Sequence, residues 1–361
     1  MRLDDQKFAG LLLEIENVEE ISQLRSLRDH FQQTTQFIEQ LSDIDNIVQW
    51  YERINSVHDI IITKAIYLAE QSMIGGGLGS PPTAYCYLLL GSGGREEQTL
   101  ASDQDSALIY QDVAASESTR QYFMQLANYI VSNLEQVGYP PCDGKIQSNQ
   151  PLWCQSVMEW KKQLDTWIVD ASWEAIRYLL IYTDARAVYG NDELYYSVRK
   201  YYADKLKSNP QILRRMIDNT IQYRMLTGIF GQFITDQYGE TIGSIDIKYG
   251  GYIPFVNAIR WLSINEDIWP SSTLKRLDQL LYVQAINEVE YEELREAFLQ
   301  LLMLRILAGH RQTNGFYESY GKVNPKRLDK KQIKKLKKSL RTGTKLQKKI
   351  MKYSGKRGRT V

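Results

Sequence analysis

The chain has 361 residues, of which 43% are hydrophobic and 24% charged, a composition typical of a globular protein with a sizeable core. No apolar run approaches the roughly 18 residues of a membrane span, and the first residues do not read as a signal peptide. We therefore expect a cytoplasmic protein without membrane contact. The three cysteines lack zinc or disulfide spacing and are expected to be free thiols.

The net charge of +1 conceals a strongly uneven distribution along the chain. From Lys322 onward, 17 lysines and arginines accompany one acid, Asp329, which gives this segment a charge of +16. The rest of the chain holds 27 basic and 42 acidic residues, a charge of −15. The sequence therefore describes an acidic body with a basic end.

The first half of the chain changes from helical to strand patterns at a glycine-rich break. Residues 1–72 repeat apolar positions at spacings of three and four, which predicts helices. The glycines and prolines of 75–82 predict a loop and a domain boundary. The segments 85–90 and 107–110 are short and apolar and predict buried strands.

The second half is predicted to be mostly helical. A long helix is expected at 117–137 and a third, weaker strand at 142–148. Beyond residue 150 the pattern predicts helices alone, at 153–167, 172–189, 192–207, 210–238, 253–263, 272–286 and 290–308. The histidines His30, His58 and His310 are isolated and are expected to be surface or packed residues.

This order predicts an α+β fold, mostly α, in which a sheet domain is flanked by helical regions. The predicted parts are an N-terminal helical region at 1–72, a catalytic α/β domain at 73–150, a C-terminal helical domain at 151–353 and a basic disordered end at 354–361.

A glycine turn follows the first predicted strand. In Gly91-Ser92-Gly93-Gly94, glycines permit positive φ and allow backbone N–H groups to converge, an arrangement that binds phosphate. Ser92 adds a hydroxyl group, and Arg95 adds a guanidinium group suited to phosphate oxygens. The turn alone is equally typical of a flexible loop.

Two acids, Asp103 and Asp105, precede the second predicted strand. Side chains two apart in an extended chain point to the same face, and two adjacent carboxylates repel each other unless a cation lies between them. We therefore predict that both bind Mg²⁺, with Mn²⁺ as the alternative, and that both are catalytic. Alone, this pair is also typical of a solvated loop, but its conjunction with the glycine turn favours a functional site.

An apolar strand, Gly-Ser, about ten residues and Asp-x-Asp together resemble the superfamily that includes DNA polymerase beta and kanamycin nucleotidyltransferase. The likeness is closest to protein-PII uridylyltransferase and to a related bacterial group of nucleotidyltransferase-like proteins with the pattern GSxGRxEQTLxSDQDxAL, which residues 91–108 match. It extends to 184–190, to 246–251 and to Arg260, and covers roughly residues 45–355.

The resemblance implies a polymerase-beta-like catalytic domain, a helical substrate-binding domain, and a nucleoside triphosphate, ATP or UTP, as substrate. It implies a hydroxyl acceptor, by analogy a regulatory protein in signalling. The residues expected to bind the nucleotide are Gly91, Ser92, Gly93, Arg95, Asp184, Arg186 and Lys248. For Asp184 and Arg186 a helix-end ion pair is the alternative, and for Lys248 and Arg260 a role in tying the bundle helices together.

The superfamily usually supplies a third carboxylate from a later strand. In this sequence Asp143 is the one acid within 142–148, and without a third acid a general base is missing. A second hypothesis is therefore a nucleotide-sensing signalling module that is weakly active or inactive.

The basic end carries apolar residues at helical spacing, which predicts an amphipathic helix over 326–353. We expect this helix to dock on the acidic body as the last helix of the bundle. The alternatives are a membrane surface or RNA, and a third hypothesis is an RNA-binding protein that uses this segment.

Overall fold

Three helices form the N-terminal region of the computed structural model, which describes residues 5–35, 46–114, 116–221, 226, 232–238 and 241–357. Ile15, Leu24 and Ile61 are fully buried, one in each helix, because the apolar positions share one face. The helices are α1 (Asp5–Glu16), α2 (Ile21–Thr35) and α3 (Ile47–Gly75).

A four-stranded sheet follows, with the strand order β3-β2-β1-β4. The strands are β1 (Tyr85–Leu89), β2 (Ser106–Tyr110), β3 (Cys154–Ser156) and β4 (Arg186–Gly190). Strand β1 pairs antiparallel with β2 and β4, and β2 pairs parallel with β3. Every residue of β1 and β2 is buried, as their continuous apolar pattern predicts. The register sets Leu89 against Ser106, so residues that follow β1 meet residues that precede β2.

Helices cover the sheet. They are α4 (Gly91–Gly94), α5 (Ser116–Val137), α6 (Val157–Asp170), α7 (Trp173–Thr183) and α8 (Asp192–Lys207). Phe123 of α5 stacks on Tyr110 of β2 with ring centroids 4.8 Å apart. Ser156 and Glu159 form a reciprocal capping box that starts α6 directly after β3.

The C-terminal part is a helical bundle with two small two-stranded sheets. Its helices are α9 (Pro210–Ile221), α10 (Ile253–Asn265), α11 (Thr273–Tyr282), α12 (Glu288–Leu307) and α13 (Lys330–Arg357), and its strands are β5 (Ile245–Asp246), β6 (His310–Thr313), β7 (Phe316–Ser319) and β8 (Lys322–Val323). A π-helical turn, Lys248–Tyr252, precedes α10. The fold is α+β and mostly α, as predicted.

The prediction of helices alone beyond residue 150 is wrong, because β3 to β8 lie there. Two predicted elements of the main sheet are also wrong. Residues 142–148 form no strand, because Lys145 turns the chain with a φ of 55°, and the third strand is instead Cys154–Ser156. The helix predicted at 172–189 ends at Thr183, and Arg186–Gly190 becomes β4, where its backbone pairs with β1. The sheet therefore extends beyond the boundary predicted at residue 150.

Two predicted ends also differ from the structure. The helix predicted at 210–238 ends within the described residues at Ile221, and residues 232–238 are not helical. Helix α13 runs on to Arg357, past the predicted end at 353. Cations at a helix C-terminus interact favourably with the helix dipole, which supports this extra turn. Residues 358–361 lie outside the described residues.

The basic helix α13 docks on the bundle, as predicted. Leu336, Leu346 and Ile350 are buried where α13 packs on α10 and α12. Lys338 and Lys349 pair with acids of α12 at 2.5 and 2.6 Å. Among the described residues, no helix has the length and apolar character needed to cross a bilayer.

Candidate active site

The glycine turn after β1 fits closely between two other parts of the chain. Gly91 has a φ of 52°, and a Cβ atom there would lie 2.2 Å from Oδ2 of Asp105. At Gly94, a Cβ atom would lie 1.9 Å from the carbonyl oxygen of Asp184. At Gly94 the nearest atoms belong to the backbone, so this approach excludes a side chain. At Gly91 a Cβ atom would displace the Asp105 carboxylate, and the left-handed backbone also favours glycine.

Asp103 and Asp105 lie together immediately before β2. The Leu90 N–H group donates to the carbonyl oxygen of Asp105 at 2.9 Å, which holds this residue beside the end of β1. One carboxylate oxygen of each aspartate and the Sγ atom of Cys142 lie within 4.8 Å of one another. The structure thus brings the two predicted carboxylates together and adds a thiol from the 142–148 segment.

The electrostatics of this group favour a cation. Burial and then the charge of Asp103 raise the pKa of Asp105 to about 7. Burial and then the charge of Asp105 raise the pKa of the Cys142 thiol, so the thiol keeps its proton beside that carboxylate. Two crowded carboxylates and a neutral thiol leave a negative charge that a bound cation would neutralise.

These side chains open into a cleft of about 880 Å³ between the sheet and the bundle. This volume falls within the range of small-molecule sites. Of the predicted site residues, those that line the cleft are Gly91, Ser92, Arg95, Asp103, Asp105, Asp184 and Lys248. Gly93 and Arg186 do not line it.

Arg186 lies on the other side of the turn. Its guanidinium group donates to both carboxylate oxygens of Asp59 at 2.8 and 2.9 Å, and to the carbonyl oxygen of Gly93 at 3.0 Å. It lines a separate cavity of about 550 Å³ beside β4. The structure therefore places Arg186 where it supports the glycine turn from behind, away from the cleft.

Arg95 and Asp184 belong to a buried ionic cluster at the cleft wall. Arg95 donates to Asp184 at 2.6 Å and to Glu97 at 2.8 Å, and Asp184 also pairs with Arg260 and Arg276. Burial alone would raise the pKa of Asp184, but the guanidinium groups of Arg260, Arg276 and Arg95 outweigh it and lower this pKa. The three arginines therefore share one ionised carboxylate.

The cluster carries an excess of positive charge. Arg305 donates to the carbonyl oxygen of Glu97 at 2.7 Å and lies over the Tyr252 ring, 4.0 Å from its centroid. Together with Arg95, Arg260 and Arg276, four guanidinium groups surround the two carboxylates of Glu97 and Asp184. A surplus of two positive charges in a buried wall attracts anions into the cleft.

Two further cations face the cleft with no ion pair among the residues that the structure describes: Lys248 and Arg177. The charge of Lys248 lowers the pKa of Asp105 and so opposes the larger effects of burial and of Asp103, which raise it. Arg177 of α7 lies beside the 142–148 segment, since a Cβ atom on Gly144 would fall 2.5 Å from its Nη2 atom. Sequence reasoning missed Arg177, because only the folded chain brings α7 to this segment.

Asp143 lines the cleft but is exposed and is not part of the group formed by Asp103, Asp105 and Cys142. The two other acids at the cleft wall are engaged, since Asp184 binds arginines and Glu318 pairs with Arg311 at 3.1 Å. Within the described part of the chain, Asp143 is thus the cleft carboxylate that remains available.

A strand that ends in a glycine turn, beside paired carboxylates at the start of the next strand, defines a nucleotidyltransferase-type site. Residues 31–174 match the family described as "Putative nucleotidyltransferase DUF294", and residues 210–353 match the one described as "Putative nucleotidyltransferase substrate binding domain". The chain belongs to this two-part family, as the sequence resemblance indicated. No curated protein matches the chain.

Proposed function

We propose that this chain transfers a nucleoside monophosphate from a nucleoside triphosphate to a hydroxyl acceptor and releases pyrophosphate. The observation that carries the proposal is the meeting of Asp103 and Asp105 with the Gly91-Ser92 turn at one cleft. The acceptor oxygen forms a bond to the α-phosphorus, the bond from that phosphorus to the bridging oxygen breaks, and the acceptor proton passes to a base.

The donor set fits a hard divalent cation. Carboxylate oxygens are preferred ligands of Mg²⁺ and Mn²⁺, whereas thiols suit softer metals. Asp103 and Asp105 would therefore hold the ion, and Cys142, whose thiol stays protonated, would hydrogen-bond to Asp105. When bound, such an ion neutralises charge on the phosphate oxygens and favours an ionised attacking oxygen.

The cations of the cleft supply the rest of the triphosphate site. Lys248 and Arg177 lie in the cleft outside the buried cluster and form no ion pair in the described part of the chain, and Ser92 lines the same cleft. We assign phosphate binding to these three side chains. Arg95 contributes through the fixed positive field of its cluster, because its guanidinium group already binds Asp184 and Glu97.

Asp143 is our candidate for the base that accepts the acceptor proton. It is exposed in the cleft and follows Cys142 directly, so it lies near the two metal-binding aspartates. ATP or UTP is the proposed donor. A protein side chain is the proposed acceptor, on the strength of the resemblance to the uridylyltransferase.

The test is incorporation of label from each α-³²P nucleoside triphosphate, with Mg²⁺ and a cell lysate as the source of acceptor. We expect wild type to label a product, and Asp103→Asn and Asp105→Asn to lose at least roughly 100-fold of this rate. Asp143→Asn should lower the rate with little change in the KM for nucleotide. The matched control Asp218→Asn removes an exposed acid of α9 and should behave as wild type.

The proposal fails if every product that wild type labels is also labelled by Asp103→Asn, or if wild type labels no product at all. One observation favours a second candidate, a nucleotide-sensing module without turnover: within the described residues, the metal-ligating group contains two carboxylates and no third. Mg²⁺-dependent nucleotide binding measured by calorimetry, lost in Asp105→Asn and unaccompanied by labelling, would support that candidate instead.

A further inference from the structure

The outer face of α13 carries a continuous stripe of cations. Its members are all exposed and recur every three or four residues, which places them on one side of the helix. They are Lys334, Lys338, Arg341, Lys345, Lys348 and Lys352. The first and last members lie 18 positions apart, or about 27 Å at the rise of an α-helix. We call this set the basic stripe.

Docking of α13 leaves the basic stripe in solvent. The apolar side chains Leu336, Leu346 and Ile350 face the bundle and are buried. Lys338 pairs with Glu296 of α12, whereas the other five members form no ion pair with any residue that the structure describes. No acid occurs between residues 330 and 361. The stripe is therefore almost unneutralised by the protein itself.

The stability of α13 does not explain this composition. Like charges three or four residues apart destabilise a helix by about 0.2–0.5 kcal/mol per pair, whereas alternating Glu and Lys would stabilise it. Lys330, Lys331 and Lys334 also lie in or next to the first turn, where the helix dipole disfavours cations. Docking uses the apolar face and the ion pairs of Lys338 and Lys349 with α12, so the other cations of the outer face are left for an external anion.

We propose that the basic stripe binds the phosphate backbone of a nucleic-acid duplex without recognising its bases. A straight row of charges about 27 Å long matches about eight base pairs of duplex. Among the described side chains of α13, none of the exposed ones is aromatic, so the helix shows no platform there on which single-stranded bases stack. An interfacial membrane helix inserts an apolar face, but that face of α13 is buried in the bundle.

The test is fluorescence anisotropy with duplex DNA and duplex RNA of about 20 base pairs and arbitrary sequence, titrated at several KCl concentrations. Neutralisation of five or six phosphates predicts that log K falls with log salt with a slope of about −5. A stripe variant, K334Q/R341Q/K345Q/K348Q, should lower the affinity at low salt by at least about 100-fold and reduce the slope by about 3 to 4.

The matched control removes four exposed cations from other surfaces, K7Q/K162Q/K200Q/R214Q, and so changes the net charge equally. It should retain most of the affinity and the slope. The stripe variant relieves like-charge repulsion, so its thermal midpoint should not fall, and Arg341→Gln alone should reduce the slope by about 1.

Three results would overturn the proposal. The first is equal affinity of wild type and the stripe variant for duplex. The second is an equal loss of affinity in the stripe variant and the matched control. The third is binding of wild type, through the stripe, to anionic phosphatidylserine vesicles but not to duplexes. The last result would identify a membrane surface. Because no nucleoside triphosphate is present, these outcomes are independent of the proposed transferase activity.

Discussion

At the scale of single residues, His58 shows how a polar group is accommodated in the core near the site. It is fully buried on α3, where its Nε2–H group donates to the carbonyl oxygen of Thr99 at 2.9 Å and its Nδ1 atom accepts from the Tyr139 hydroxyl at 2.7 Å. This bonding requires the neutral ring. Burial, with a smaller influence from Arg28, lowers its pKa to about 3.

The lowered pKa predicts acid sensitivity. Below the ordinary histidine pKa of 6.5 the unfolded chain takes up a proton that the folded chain refuses, so stability is lost as pH falls from 6.5 towards 3. At pH 5 the loss from this residue should be about 2 kcal/mol. Urea unfolding at pH 7.5 and pH 5 measures it.

His58→Gln removes the titrating group and should reduce the difference between the two pH values by that amount, whatever its own stability. His30 is exposed on α2, so His30→Gln is the control and should retain the wild-type difference. An unchanged difference in His58→Gln would show that other groups cause the acid sensitivity.

Residue roles divide into those set by local spacing and those set by the fold. Two aspartates two positions apart were expected to lie side by side, and the chain places Asp103 and Asp105 together because this geometry is local. Arg177 reaches the cleft, and Arg305 reaches the buried ionic cluster, through contacts between distant parts of the chain. No spacing in the sequence encodes these contacts. A role of Arg95 in phosphate binding stays a prediction. Because Arg95 is bound to Asp184 and Glu97, we expect it to act through the positive charge of the buried cluster and not by direct contact.

At the scale of elements, the turn from β1 into α4 sets the position of Asp105. A Cβ atom at Gly91 would lie 2.2 Å from the Oδ2 atom of Asp105 and would also meet a φ of 52°. Gly79 has a similar φ of 75° but has open space where its Cβ would be. Alanine at either position would strain the backbone, but only alanine at Gly91 would also displace the Asp105 carboxylate. Comparing the two variants therefore distinguishes the two effects.

We expect Gly91→Ala and Gly79→Ala to share a strain of about 1 kcal/mol, seen in urea unfolding. Gly91→Ala should also lose transferase activity by about 100-fold, because a displacement of about 1 Å at a reacting group has that effect. Gly79→Ala should keep full activity. Equal activity of the two variants would mean that the turn does not position Asp105 for the reaction.

Most helices and the first two strands follow from spacings of three and four and from continuous burial. The helix predicted at 210–238 is an exception, since it ends within the described residues at Ile221. Strand β3 has three residues, which are too few to show a periodicity. Strand β4 is half-exposed and follows α7 after two residues, so its apolar positions continue the helical pattern. Both segments become strands because they pair with β2 and β1, and this pairing is not local in the sequence.

At the scale of the whole molecule, Asp184 joins the sheet to the bundle. Its carboxylate binds Arg95 beside the glycine turn, Arg260 of α10 and Arg276 of α11, all buried. Asp184→Asn would leave three buried guanidinium groups around a neutral amide. The expected loss of unfolding free energy is about 3–5 kcal/mol.

The control is Asp59→Asn, which breaks a partly exposed pair with Arg186. Its expected effect is about 1 kcal/mol or less, because solvent screens the charges. Urea unfolding monitored by circular dichroism compares the two variants. Similar losses would show that the buried cluster adds little to the joining of sheet and bundle.

The return of the chain to β4 also affects the order of events during synthesis. β1 lies at the centre of the sheet, but its partner β4 begins about 100 residues later. At ribosomal rates of roughly 5–20 residues per second, one edge of β1 waits about 5–20 seconds for its partner. During that interval a fully apolar strand has an open edge, the type of surface on which nascent chains associate wrongly. The nascent chain therefore has most need of a chaperone between the emergence of β1 and that of β4.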